Sequence, residues 1–244
     1  KNPFHQRVAR KLRSWIPNSR RTVNQLRQHH FNSGIRKISP QPQIYHETNF
    51  IPWKSNLPIV ATIHDLSWIR HPETHPQDRI EWLNNNLEDC LIRTDQVIVV
   101  SDFVKDELID LFGPAVEKKI KRVYNGVSSD FYKRNSIDSD EILRGYDLHY
   151  KKYILCVGTM EPRKNLKTII QAYSQLKPEI KKDYPLIIAG SKGWLNEALN
   201  QLLTGMAETN IKVLGYVPQE DLPYLYSGAI MTAYGSIYEG FGLP

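Results

Sequence analysis

Glu239-Gly240-Phe241-Gly242 sets a carboxylate directly ahead of two glycines that flank an aromatic ring. Glycine lets backbone N–H groups approach a ligand closely, and the helix start expected after such a turn favours an anion. A fixed carboxylate beside an anion site suits a ligand carrying hydroxyls as well as phosphates, and a nucleotide-sugar carries both. A second group of this kind is Gly158-Thr159-Met160-Glu161-Pro162-Arg163-Lys164. Two cations at the start of a helix oppose its dipole, at a cost of a few tenths up to roughly 1 kcal/mol. Charge-assisted hydrogen bonds to a diphosphate return about 1.5–3 kcal/mol each, which outweighs that cost. Two solvated surface charges are the bland alternative. His64-Asp65 closes an apolar run, at the strand end where open α/β sheets present ligand groups. His71-Pro72-Glu73-Thr74-His75 has metal-ligand residue types, but in the wrong order for His-Glu-x-x-His. Pro72 and Pro76 also oppose the helix that such spacing requires, so no metal site is expected there.

These groups need strand-to-helix turns to hold them, and the apolar pattern supplies them. Val8, Leu12, Trp15 and Ile16 mark a helical face within 6–30, interrupted by Pro17. A short strand is expected at Gln43–His46. Buried strands follow at Pro58–Ile63 and Gln96–Val100, and a third strand at Lys119–Tyr124. Between them lie helices at Arg79–Arg93 and after the Ser101-Asp102 cap. Residues 128–150 are polar and without firm period. The alternation restarts with strands at Tyr153–Val157, Leu186–Ala189, Ile211–Leu214 and a buried one at Ala229–Ala233. The intervening helices are expected at Lys164–Leu176, Trp194–Leu203 and Gln219–Tyr226. Strands alternating with helices predict α/β architecture with two doubly wound parallel sheets. The division read from this is 1–132 as an incomplete first domain, 133–150 as a linker and 151–244 as an incomplete second domain.

Composition excludes several classes. Hydrophobic content of 41% and charged content of 24% belong to a soluble globular chain, and no apolar run is long enough to span a bilayer. Cys90 and Cys156 are too sparse for a disulfide framework and read as buried thiols. The net charge of +6 is uneven: residues 1–46 carry ten Lys/Arg and no acid, leaving 22 basic against 26 acidic residues elsewhere. A basic segment attracts phosphate. No nucleic-acid motif or stacking aromatics accompany it, which argues against nucleic acid and for an anionic membrane surface or a pyrophosphate-linked acceptor touching residues 1–37; a solvated helix face fits as well. No Gly-x-Gly-x-x-Gly, Walker loop or Ser-centred nucleophile elbow is present.

Taken in order, Thr62-Ile-His-Asp-Leu, Val99-Val-Ser-x-Phe, Tyr124-Asn-Gly-Val, Gly158-Thr-x-Glu-Pro-Arg-Lys-Asn-Leu, Ile188-Ala-Gly, Leu214-Gly-Tyr-Val, Asp221-Leu-Pro-x-Leu-Tyr and Tyr238-Glu-Gly-Phe-Gly-Leu-Pro resemble the retaining family 4 glycosyltransferases of GT-B fold. The likeness runs from about residue 40 to the end and is nearest to bacterial mannosyl- or rhamnosyl-type transferases of surface-polysaccharide assembly. It implies two Rossmann-like domains facing across a cleft, with the donor held by the second and the acceptor by the first. It further implies that Arg163 and Lys164 clamp the donor diphosphate and that Glu239 binds sugar hydroxyls. Gly158, Thr159, Gly240, Phe241, Gly242 and Leu243 would line the donor, and the Val217 backbone would meet the base. His64 would stand beside the reacting carbon, with Asp65 on the acceptor side.

The implied donor is a GDP-, UDP- or dTDP-linked sugar, with no other cofactor and no metal, and the acceptor a glycan or lipid-linked glycan. The implied location is cytoplasmic, peripheral to the inner face of the plasma membrane. An epimerase or phosphorylase on the same fold, or a non-catalytic anion-binding protein, is the alternative.

The sequence departs from the family pattern at Gly158-Thr159, where many members have Gly-Arg, and at Gly235-Ser236 in place of Pro-Ser. The family's second glutamate would fall beyond Pro244, its C-terminal helix is missing, and its first strand and Gly-rich loop lack a counterpart at the front. An internal fragment, inactive and poorly folded alone, is therefore expected.

Overall fold

The structure is a computed structural model that describes residues 19–194 and 210–244. The first part of the helix expected over 6–30 lies outside the described residues, as does the helix expected at 194–203 apart from Trp194. Within them, α1 spans Ser19–Arg36.

Among the described residues two sheets form, each of four strands and each wholly parallel. The first runs β1 (Tyr45–Glu47), β2 (Ile59–Ile63), β3 (Gln96–Val99), β4 (Ile120–Arg122) in spatial order. Ile59, Ala61 and Ile63 are fully buried, as the apolar run predicts for a strand covered on both faces. The Asp95 carboxylate accepts the Ile59 N–H at 2.8 Å, which helps fix the β2–β3 register. Helices α2 (Ser67–Arg70), α3 (Gln77–Arg93) and α4 (Asp102–Phe112) return the chain. α3 buries Leu83, Leu87, Cys90 and Leu91, spaced to share one helix face. Ser101 caps α4 by accepting the Val104 N–H, and Gly113 at φ 80° ends it, a conformation glycine takes without strain.

The second sheet orders β7 (Ile211–Gly215), β6 (Leu186–Ala189), β5 (Ile154–Val157), β8 (Met231–Thr232). β6 buries all four residues, and successive side chains enter opposite cores. Ile187 and Ala189 join Leu143, Tyr153 and Leu155, whereas Leu186 and Ile188 join Cys156, Ile170 and Tyr173. Each fully buried Leu or Ile contributes about 1.5–3 kcal/mol.

Three expectations are corrected. Residues 133–150 are not a structureless linker: they contain α5 (Ser136–Gly145), capped by the Asn135 side chain. Leu143 and Leu148 enter the second core. The Ser/Asp/Asn cluster that resembled a linker is partly cap chemistry, and Ile137 is exposed, so the helix shows almost no apolar stripe. The buried strand expected at Ala229–Ala233 is a two-residue strand, β8, with Met231 and Thr232 exposed, because β5 is its sole neighbour among the described residues. The helix expected from Lys164 begins instead at Leu166, as α6 (Leu166–Ser174). Pro162–Lys164 forms a separate 3-10 turn, and Asn165 at φ 53° lies between. The two cations thus stand ahead of the helix. α7 (Pro178–Asp183) and α8 (Leu222–Gly228) complete the described helices.

Candidate functional site

The site lies where the carboxyl ends of β5 and β2 meet. Leaving β5, the chain turns at Gly158, whose N–H donates to the Ala189 carbonyl at 2.9 Å. This turn, including Thr159, lies flat on the loop after β6. A Cβ on Gly190 would stand 1.9 Å from the Gly158 oxygen, and one on Gly193 would stand 2.5 Å from the Met160 oxygen. The glycine of Ile188-Ala-Gly is therefore required for backbone-to-backbone contact. Over Gly158 runs the stem of Lys164: its Cδ and Cε would sit 3.6 Å from a Cβ there.

Arg163, Lys164 and Glu239 are brought together. Lys164 Nζ lies 2.6 Å from Glu239 Oε1, and Arg163 lies 2.9 Å from Oε2. Arg163 also donates to Glu161 and to the Tyr238 carbonyl, both at 2.7 Å. Its Nε is buried with no partner among the described residues. All four charged side chains are under 20% exposed. Burial pushes the Glu239 carboxyl up, but Lys164 and Arg163 outweigh it and hold it below the usual carboxylate range. Burial disfavours the Arg163 charge, yet Glu239, Glu161 and Asp65 together raise its pKa. Two cations facing two carboxylates leave this turn locally charge-balanced, so the cations do not load the α6 dipole as anticipated.

The residues after Glu239 cross to the first sheet. A Cβ on Gly240 would be 1.7 Å from the His64 oxygen and 3.0 Å from Asp65 Cβ, so only glycine permits this approach. Ser101 Oγ donates to the Gly240 carbonyl. The Phe241 ring lies 6.0 Å from that of Tyr124. Gly242 adopts φ 85°, and Leu243 is exposed.

His64 follows β2 and donates from Nε2 to the Thr48 carbonyl at 2.8 Å. Asp65 Oδ1 accepts both the Ser67 N–H (2.9 Å) and the Ser67 hydroxyl (2.6 Å). With its one proton so used, Ser67 accepts from His75 Nε2 at 2.8 Å. His75 Nδ1 is then a lone pair, buried and unpartnered among the described residues. Burial first, then Arg79, lowers the His75 pKa. The His71–His75 segment forms a 3-10 turn at Pro72–Thr74 that points His75 at Ser67. Among the described residues no group of three or more His, Cys, Asp or Glu could hold a metal.

Val217 stands apart from the charged turn. It lines a mostly apolar cleft of about 560 Å³ together with Val157, Leu222, Tyr226 and Leu243, closed from the other side by Gly126–Ser128. Cys90 and Cys156 are free and buried, and burial raises the Cys156 pKa to about 11.

Sequence reasoning missed Glu161, Ser101 and Glu107 as parts of this site, and Tyr238 as more than a motif letter. Glu161 and Tyr238 were visible inside quoted motifs. Ser101 was visible inside a quoted motif and as a helix cap, but nothing local tells of its partner 139 residues away, nor of Glu107 and its partner 131 residues away. Among the described residues no helix is long and apolar enough to cross a membrane.

Residues 1–131 match the model described as Glycosyltransferase Family 4, and residues 139–244 match that described as Glycosyl transferases group 1. O-antigen chain mannosyltransferase B of Escherichia coli is 42% identical over 203 residues, which are 82% of this chain and 53% of that protein. The chain thus spans about half the length of that relative. Sucrose-phosphate synthase from Thermosynechococcus elongatus superposes with TM-score 0.70 at 18% identity, over 94% of this chain and 59% of its own. Anabaena HepE in complex with UDP-glucose superposes with TM-score 0.60 at 24% identity, over 77% and 49%. At these identities the structural likenesses speak for the fold alone.

Proposed function

The chain belongs to glycosyltransferase family 4, with that family's two-sheet GT-B architecture, and from this premise we propose that the protein transfers a mannose-type sugar from a nucleoside diphosphate donor to a surface glycan acceptor. The observation that carries the reading is the Arg163–Lys164–Glu239 cluster, set against His64 and Asp65 through Gly240.

In this reading Lys164 leaves Glu239 for the donor diphosphate, with Arg163 behind it. The freed Glu239 oxygen accepts sugar hydroxyls. The nucleoside occupies the Val217 cleft. Gly158 and Thr159, Phe241 to Leu243 and the His64 carbonyl wall the donor, with Asp65 towards the acceptor. The bond from the anomeric carbon to diphosphate oxygen breaks, and the acceptor oxygen bonds that carbon on the same face. The acceptor proton passes to the departing diphosphate. The chain's part is orientation and charge stabilisation, with two cations meeting charge that grows on the leaving group. A metal-independent reaction in the cytoplasm, with residues 1–37 against anionic lipid, completes the proposal. Neither the epimerase or phosphorylase reading nor the anion-binding one gains support from the relatives.

The test is a thermal-shift screen of GDP-mannose, UDP-glucose and dTDP-rhamnose, followed by product analysis with the labelled donor that stabilises. A glycoside is expected. An epimer, a free sugar phosphate or no stabilising donor overturns the assignment.

A further inference from the structure

Three consecutive residues, Tyr238, Glu239 and Gly240, are gripped from both sheets at once. From the second sheet, Arg163 donates to the Tyr238 carbonyl, and Arg163 and Lys164 hold the Glu239 carboxylate. From the first, Ser101 donates to the Gly240 carbonyl, and the His64 oxygen abuts the Gly240 Cα. The deepest grip is the Tyr238 side chain, which leaves its own sheet and enters the first, 7% exposed. Its ring lies between those of His71 and Phe103, each 5.5 Å away. Its hydroxyl accepts the Leu66 N–H at 3.1 Å and donates to Glu107 Oε2 on α4. The other Glu107 oxygen is held by Arg70 Nε at 2.8 Å, and Arg70 also pairs with Asp110 at 2.7 Å.

The geometry points to Tyr238 as a positioning residue: a cross-domain clasp, Tyr238–Glu107, that ties the seat of Glu239 to closure of the first sheet upon the second. This rests on the proposed transferase reading for its catalytic consequence. The physical argument is the neighbouring position. Glu239 is one peptide unit from a ring locked into the opposite domain, while its carboxylate is fixed to the donor turn. When the hydroxyl bonds are made, donor turn and His64-Asp65 share one rigid frame. When they are lost, Arg163 and Lys164 still hold Glu239 inside the second domain, and its tie to His64-Asp65 falls to the Ser101–Gly240 hydrogen bond and the Gly240 contact, which let the distance widen. Tyr238 thereby acts on turnover rather than on donor affinity.

The experiment uses the full protein, with Tyr238→Phe, Glu107→Met, the double variant, and Glu107→Gln, which keeps an acceptor for the hydroxyl. Tyr238→Phe retains the ring between His71 and Phe103. A hydrogen bond to a charged group corresponds to about 10–100-fold in rate, so kcat is expected to fall by that factor in Tyr238→Phe and in Glu107→Met. The Kd for the stabilising nucleotide-sugar stays within about threefold of wild type, the double variant is no worse than either single, and Glu107→Gln recovers most of the loss. Small-angle scattering reports a larger radius of gyration for Tyr238→Phe than for wild type. The clasp is overturned by an unchanged radius, by unchanged kcat, by donor affinity falling in step with kcat, by single losses that multiply, or by Glu107→Gln as poor as Glu107→Met. A merely structural tyrosine would lower the melting midpoint and leave kcat of the folded enzyme intact. A wild-type protein without transfer activity sinks the transferase reading instead, while scattering still decides the clasp.

Discussion

Lys164→Ala separates a phosphate ligand from a structural cation. Lys164 Nζ is engaged in an ion pair, 2.6 Å from Glu239 at 14% side-chain exposure. A donor diphosphate must therefore compete with an existing ion pair. A charge-assisted bond to phosphate is worth about 3 kcal/mol at the upper end, and the partly exposed pair given up about 1.5 kcal/mol. The net loss on removing Lys164 is then about 1.5 kcal/mol, or about tenfold in Kd. By the same reasoning Glu239→Gln frees Lys164 without removing it. That variant is expected to bind the bare nucleoside diphosphate more tightly, while losing affinity for the nucleotide-sugar whose hydroxyls Glu239 would meet. Titration calorimetry with GDP, UDP and the matching nucleotide-sugar reads both effects, with the exposed Lys118→Ala as charge control. The melting profile gives a second readout. The depressed Glu239 pKa means that its contribution to stability is present above the reference 4.5 and is lost as pH falls through the lower native value. Lys164→Ala should shrink that acid-side loss. Donor Kd within twofold of wild type, or weaker diphosphate binding by Glu239→Gln, would refute the competition on which the estimate is built.

Gly240→Ala places a Cβ 1.7 Å from the His64 oxygen, so the two sheets cannot close as they do here; kcat should fall at least tenfold while guanidinium unfolding of the two cores stays near wild type. Leu143→Ala should cost about 2–5 kcal/mol in chemical denaturation, whereas Ile137→Ala, exposed on the same helix, should cost almost nothing; equal costs would remove 136–145 from the core. His75 has a lowered native pKa, so below 6.5 the unfolded chain binds more protons and stability falls with falling pH. His75→Gln should flatten the fall of the melting midpoint as pH drops below 6.5, and an unaltered slope would count against the neutral, buried ring.

The apolar runs determined most of the architecture unaided. Val-, Ile- and Leu-rich tetrads such as Leu186–Ala189, short and bounded by turn residues, read as strands covered on both faces, and their alternation with amphipathic helices leaves parallel sheets as the arrangement. Ser101 before an acidic first turn announced the α4 cap. The charged triad was readable as residue types, because Arg163-Lys164 and Glu239-Gly240 each sit at a strand's end. What the sequence could not give was their mutual state. Arg163 and Lys164 looked like free cations awaiting an anion, and only the fold shows Lys164 paired with a carboxylate 75 residues on and Arg163 shared between that carboxylate and Glu161. Helix α5 was illegible because one buried leucine, Leu143, anchors it amid cap and turn residues, and burial on one side is a property of the neighbour. Tyr238 is the extreme case. Its motif position says nothing of Glu107 or Leu66, since contacts between separate sheets leave no periodic trace along either segment. Local pattern therefore determined the elements and their order, and tertiary closure alone decided which charges meet and where one domain grips the other.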